Sequence, residues 1–244
     1  VLTFAVLPAL TFTKTDAFIM KYFPKFALLS LLLWAATSLS AQIALGIRGG
    51  INLANWSLND VAKNELAFDP KSANSLLFGA LLEVRLMNSL AIQPELNYTQ
   101  KGTKIDETVL GVKRSGSYTF DYLEIPLLLK VGTGFGVGRF DFLLGPSFGY
   151  ALNGKYKVST TAGSVTITEE KEVDFDRDEI SRTDVGAQIG ASLGLGLGSS
   201  LRVFVDGRYL LGFSNLDQHE HGSGDEPVVR NRGIALTAGL IFPF

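Results

Sequence analysis

The residue types that most often carry chemistry are scarce in this chain. It has two histidines, His219 and His221, and no cysteine. Both histidines lie in the polar segment DQHEHGSGDE, together with Asp217, Ser223, Asp225 and Glu226. Imidazoles and carboxylates suit a divalent ion, and a serine beside a histidine suits acyl transfer. A metal site needs ligands at fixed spacing on rigid backbone, however, and a triad needs a third group to orient its base. The segment offers neither and reads as a solvated acidic loop. Asp174, Asp176 and Asp178 have the opening spacing of a calcium loop. Glu179 nonetheless stands where the turn glycine belongs, and Val185 where the bidentate carboxylate is needed, so the pattern fails. The Asn97-Tyr98-Thr99 sequon falls inside a strand, and no glycine loop with a following lysine is present to cradle a phosphate. The lack of cysteine excludes disulfides, a thiol nucleophile, a thiolate metal site and a lipid-anchored N-terminal cysteine. The expectation is no catalytic residue, no cofactor, no metal and no enzymatic activity.

Composition narrows the class from another side. Among 244 residues, 46 % are hydrophobic and 19 % charged, which suffices for one sizeable domain and is too apolar for disorder. Lys+Arg 22 against Asp+Glu 24, with no basic tail, excludes a basic nucleic-acid binder. From Met20, Lys21 and Lys25 precede the apolar run Phe26–Ala36 and the small-residue stretch TSLSAQ. That order is a secretory signal peptide, with an apolar core too short to span a bilayer stably. The expected organisation is an over-extended upstream stretch 1–19, a signal peptide 20–41 cleaved after Ala41 or at the neighbouring bond, and one domain 42–244.

The elements that must position any charged group follow from period-two alternation. In Leu90–Gln100 one face carries Leu90, Ile92, Pro94, Leu96 and Tyr98, and the other Ala91, Gln93, Glu95, Asn97 and Thr99. A helix would mix these two sets around its circumference. The same split recurs in Ile43–Ala54, Leu76–Leu86, 118–130, Phe140–Tyr150, Asp184–Leu195, Leu201–Leu211 and the final segment from Gly233, giving eight strand candidates. Their connections alternate in size. Long polar ones lie near Ser57–Ala73, Lys101–Ser117, Asn153–Thr183 and Phe213–Arg230, and short ones near Met87–Ser89, Gly132–Gly138 and Gly198–Ser200. No apolar run of helix-spanning length follows the signal.

This pattern predicts an all-β fold, an eight-stranded antiparallel transmembrane β-barrel with short periplasmic turns and long extracellular loops. Alternating stretches Lys155–Thr161 and Ser164–Thr168 inside the longest loop suggest hairpins beyond the lipid, and counting them as wall gives ten strands as the second reading. Closure is required because an open edge in hydrocarbon leaves backbone groups unpaired at several kcal/mol each. Aromatics fall near the expected interfaces, with Tyr98, Tyr118, Phe120, Tyr150 and Tyr209 toward the outer rim and Phe140, Phe242 and Phe244 toward the periplasmic rim.

The polar faces then point inward, and glycines at 46, 50, 79, 145, 149, 186, 190 and 194 make room for larger groups. Arg48, Glu83, Arg85, Glu95, Glu124, Arg139, Asp141, Arg202, Asp206 and Arg208 are expected to form a buried structural charge network in a narrow lumen. Both signs are needed because a buried unpaired charge costs several kcal/mol.

The segments IALGIRGGINLANW, LEVRLMNSLAIQPELNYTQKGTK, YLEIPLLLKVG, LLGPSFGYALNGK, DVGAQIGASLGLGL and GIALTAGLIF resemble the PorT-like outer-membrane β-barrel family of Gram-negative envelope proteins. The chain also ends on Phe244, as outer-membrane barrels commonly end on an aromatic residue that the assembly machinery reads. The resemblance implies an outer-membrane location and contacts with outer-membrane lipid and the barrel assembly machinery. It also implies a structural or accessory role toward a secretion or envelope partner, one relative being associated with protein export. The alternative is a narrow channel or small-ligand transporter. A soluble lipocalin-like barrel is disfavoured because the charged, glycine-rich face is the one that looks inward.

Overall fold

A computed structural model describes residues 42–66, 69–109, 111–198, 200–218 and 226–243. The upstream stretch, the signal peptide, the histidine segment 219–225 and Phe244 lie outside the described residues. The elements are β1 (Gln42–Leu58), α1 (Asp60–Leu66), β2 (Ala73–Met87), β3 (Leu90–Val109), β4 (Val112–Phe135), β5 (Gly138–Ala162), β6 (Val165–Glu172), β7 (Thr183–Gly196), β8 (Arg202–Gly212) and β9 (Val229–Pro243).

All pairings between these strands are antiparallel, in the order β4-β3-β2-β1-β9-β8-β7-β5-β6. β4 pairs in addition with β5, from Val112↔Ala162 to Phe135↔Gly138. The sheet thus curls back on itself through β4 and β5, with β6 hanging from β5 outside that circuit. This corrects the expected eight-stranded even barrel, and equally the ten-stranded one: the sheet has nine strands. The reason lies in β5, whose second edge is shared. Gly138–Tyr150 pair with β7, whereas Lys155–Ala162 pair with β6. Gly163, at φ +60°, turns the chain back into β6. After Glu172 the chain passes into turns and adds no tenth strand.

The expected long loops are therefore largely strand. β3 and β4 continue through most of 101–117, because a hydrogen-bonded ladder needs no apolar face to propagate. The 57–73 connection holds α1, whose first turn is capped by Asn59: its Oδ1 accepts from the Ala62 N–H at 2.9 Å. The short turns near 88, 136 and 198 gather at what we call the turn end, and the long hairpins at the opposite, hairpin end.

The two faces of the sheet follow the alternation. Ile47, Leu96, Ile125, Phe142, Ile189, Val205 and Leu236 are exposed outward, while Arg48, Glu95, Glu124, Asp141, Gln188, Asp206 and Thr237 are buried. Two of the rim aromatics are corrected. Phe120 is buried and Tyr118 half-buried, both against an inner apolar core at the hairpin end. They belong to the even-numbered phase of β4 that also turns Tyr122, Glu124 and Leu128 inward.

Backbones approach most closely where glycine removes the side chain. A Cβ at Gly145 would lie 2.0 Å from the Leu127 carbonyl oxygen across the β4–β5 seam, whereas one at the outward Gly49 would meet nothing nearer than 3.8 Å. Gly145→Val is therefore expected to destabilise by about 1–3 kcal/mol, and Gly49→Ala to have little effect. Urea unfolding followed by tryptophan fluorescence checks the difference.

Candidate functional site: a tiered charge network under an aromatic cap

Alternation brings inward-facing residues from every strand of the circuit to one interior. All ten expected network residues form ion pairs there, arranged in three tiers.

The middle tier is the most buried. Glu95 of β3 binds Arg48 of β1 at 2.7 Å and Arg208 of β8 at 2.8 Å, and Asp206 binds the same two arginines at 3.1 and 2.9 Å. Gln93 and Asn97 each donate a side-chain N–H to Glu95, and the Thr237 hydroxyl donates to Asp206. Two carboxylates thus face two guanidinium groups with most lone pairs occupied, the condition under which buried charge is tolerated.

At the turn end Glu83 binds Arg85, Lys130 and Arg202 at 2.6–2.8 Å, and Asp141 binds Arg139 at 2.7 Å. Arg139 also donates to the Asn88 carbonyl of the β2–β3 turn. At the hairpin end Lys101 bridges Glu124 at 2.7 Å and Asp184 at 2.9 Å, with the Tyr122 ring 5.0 Å away. Gln188 joins this tier to the middle one: its amide N–H reaches Glu124, and its carbonyl oxygen accepts from Arg208. A cavity lined by Asn52, Lys101, Glu124, Asp184 and Asn231 measures about 10 Å³, room for about one water.

Sequence reasoning omitted Lys101, Lys130 and Asp184 from the network. Lys130 and Asp184 stand in the inward phase of their strands. Lys101 continues the odd-numbered phase of Glu95, Asn97 and Thr99 one residue past the expected strand end, so extending the parity would have found it.

Above the tiers lies an apolar core of Trp56, Ile105, Phe120, Tyr122, Phe175 and Leu216 with neighbours, drawn from strand ends and from the turns after β6 and β8. Trp56 lies 5.2 Å from Tyr118 and 6.2 Å from Phe120, centroid to centroid. No local pattern announces this cap, because its buried residues come from eight separate stretches of the chain. Among the described residues no cluster of three or more His, Cys, Asp or Glu could hold a metal ion.

The hub position of Glu95 sets an expectation. Glu95→Ala leaves Arg48 and Arg208 short of negative charge and should cost about 3–5 kcal/mol. The double variant with Arg208→Ala should lose less than the sum of the single losses. Chemical unfolding of the four proteins in a double-mutant cycle measures both.

Among solved structures, Ail, the attachment invasion locus protein of Yersinia pestis, is 13 % identical with a TM-score of 0.39, covering 84 % of this chain and 97 % of that one. A major outer membrane protein of Thermus thermophilus is 9 % identical with a TM-score of 0.44, covering 84 % and 100 %. The outer membrane protein OprG of Pseudomonas aeruginosa is 11 % identical with a TM-score of 0.42, covering 82 % and 95 %. No curated protein matches. The family described as outer membrane protein beta-barrel domain matches residues 35–218, most of the chain, and the protein belongs to that family.

Proposed function

We propose that the protein is a non-enzymatic outer-membrane accessory protein, with its outward apolar face in lipid, the turn end in the periplasm and the hairpin end outside. The observation that carries this reading is the filled interior. Paired charges in three tiers occupy the space a solute would need, and an aromatic core closes the hairpin end. What remains available for function is the outer surface, chiefly the β5–β6 hairpin, where every β6 side chain is exposed. We infer that this region meets a secretion or envelope partner.

Export through the signal peptide 20–41 and insertion by the barrel assembly machinery belong to the same proposal. The narrower PorT-like affiliation rests on the LEVRLMNSLAIQPELNYTQKGTK and YLEIPLLLKVG segments. Transport through the lumen is the less favoured reading, since it requires the ion pairs to part.

Three outcomes are expected. The protein fractionates with the outer membrane and changes gel mobility on boiling; recovery as a soluble periplasmic monomer refutes the placement. Leu82→Arg and Leu127→Arg reduce folding into bilayers by roughly 2–4 kcal/mol near the midplane, a depth dependence that substitution of the inward Leu81 lacks. In planar bilayers the unmodified protein gives no steady conductance, and conductance proportional to inserted molecules overturns the accessory role.

A further inference from the structure

β6 stands last in the order of strands, with β5 on one side and no described strand on the other. In an antiparallel pair, residues whose backbone groups point to the partner alternate with residues whose groups point away. The Val173 N–H, directly after β6, donates to the Gly154 carbonyl of β5 at 2.8 Å, which fixes the phase. Odd-numbered residues turn their N–H and C=O toward β5, and Thr166, Thr168, Glu170 and Glu172 turn theirs away. Among the described residues these outward backbone groups have no hydrogen-bond partner, and all four residues are exposed.

Open edges in folded proteins are ordinarily blunted by charge, proline or a bulge. The second half of β6 follows that rule, with Glu169, Glu170, Lys171 and Glu172 in succession. The first half, Val165-Thr166-Ile167-Thr168, has no charge and no proline, and its register with β5 is unbroken. Val165 and Ile167 share one face and are 61 % and 70 % exposed. In a hairpin that projects beyond the lipid, neither the sheet nor the bilayer covers them. Ile167 also lines a cavity of about 550 Å³ with Tyr118, Val158 and Ile180. Two cations, Arg114 and Lys171, and two carboxylates, Glu169 and Asp178, stand around it, so it favours neither sign of charge. The opposite face carries hydroxyls: Thr166 meets Thr161 and Thr168 meets Ser159, each at 2.9 Å.

Donors and acceptors that recur at every second residue, about 7 Å apart, match the backbone of another extended chain and no lipid headgroup or small ion. We propose that the free edge of β6 around Thr166 and Thr168 receives an extended polypeptide segment of the partner as an added strand. Its apolar side chains lie beside Val165 and Ile167, and its hydroxyl side chains beside Thr166 and Thr168. The inference rests on the reading of the β5–β6 hairpin as the partner-facing region and names how that partner is held.

The detergent-solubilised protein is titrated with a fluorescein-labelled heptapeptide of alternating threonine and valine, and binding is followed by fluorescence anisotropy. Saturable binding is expected, weaker by roughly tenfold or more when the same residues are regrouped to destroy the alternation. N-methylation of alternate peptide nitrogens removes the donors along one edge of the added strand only. One methylation phase should therefore abolish binding and the other retain it. Thr168→Pro removes an N–H that β5 does not use, so the hairpin persists while peptide affinity falls by roughly tenfold or more. Thr168→Ala loses the Ser159 contact but keeps the backbone N–H, and should bind as the unmodified protein does. No saturable binding, equal binding of the regrouped peptide, or equal effects of the two methylation phases overturns the proposal. Self-association of the protein that Thr168→Pro prevents overturns it too, because the occupant is then a second copy. The methylated peptides decide the matter on the unmodified protein even where Thr168→Pro does not fold. Every arm runs in micelles, so a negative result strikes the added strand alone, whereas fractionation away from the outer membrane strikes the accessory reading.

Discussion

The pairing of Glu95 and Asp206 with Arg48 and Arg208 is the interaction on which the interior depends. Four charges with side chains at most 1 % exposed sit between opposite walls of a narrow space. Their attraction offsets desolvation only while all four are held at hydrogen-bonding distance. β1, β3 and β8 are not adjacent in the circuit, so the cluster ties together strands that share no backbone hydrogen bonds. The other two tiers repeat the arrangement above and below it. This inverts the usual layout of a soluble β-protein, in which the apolar face turns inward. Here apolar side chains look out from every strand of the circuit, and the inward face is left with charge to neutralise.

That constraint also explains the glycines. An arginine reaching across the interior needs space that a facing Cβ would occupy. A Cβ at Gly190 would fall 2.9 Å from the Arg208 side chain, and one at Gly79 would fall 2.2 Å from the Asn97 amide oxygen. Small residues on one strand and long polar residues on the next are therefore two sides of one packing solution. The aromatic cap serves a different purpose. At the hairpin end the strands outrun the charge tiers, and Trp56, Phe120 and Phe175 form an apolar core where the rest of the interior is ionic.

What the amino-acid sequence determined by itself was everything that depends on alternation. Period two fixes which face of each strand a residue occupies, so Arg48, Glu95, Asp141 and Arg208 could be assigned inward without knowledge of their neighbours. It also placed the short turns. Strand ends are less legible, because polar stretches such as 101–109 and 155–162 pair as readily as apolar ones once a ladder is running, although polarity by itself indicates a loop. Only the tertiary structure decided the rest: that β5 shares one edge between β6 and β7, making nine strands; that Lys101 neutralises both Glu124 and Asp184; and that Trp56 meets Phe120 and Leu216 in a cap. These are contacts between residues up to 160 positions apart, as Trp56 and Leu216 are. Their formation depends on how far each strand runs before it turns, a quantity set by the summed pairing energy of the sheet and written in no local pattern.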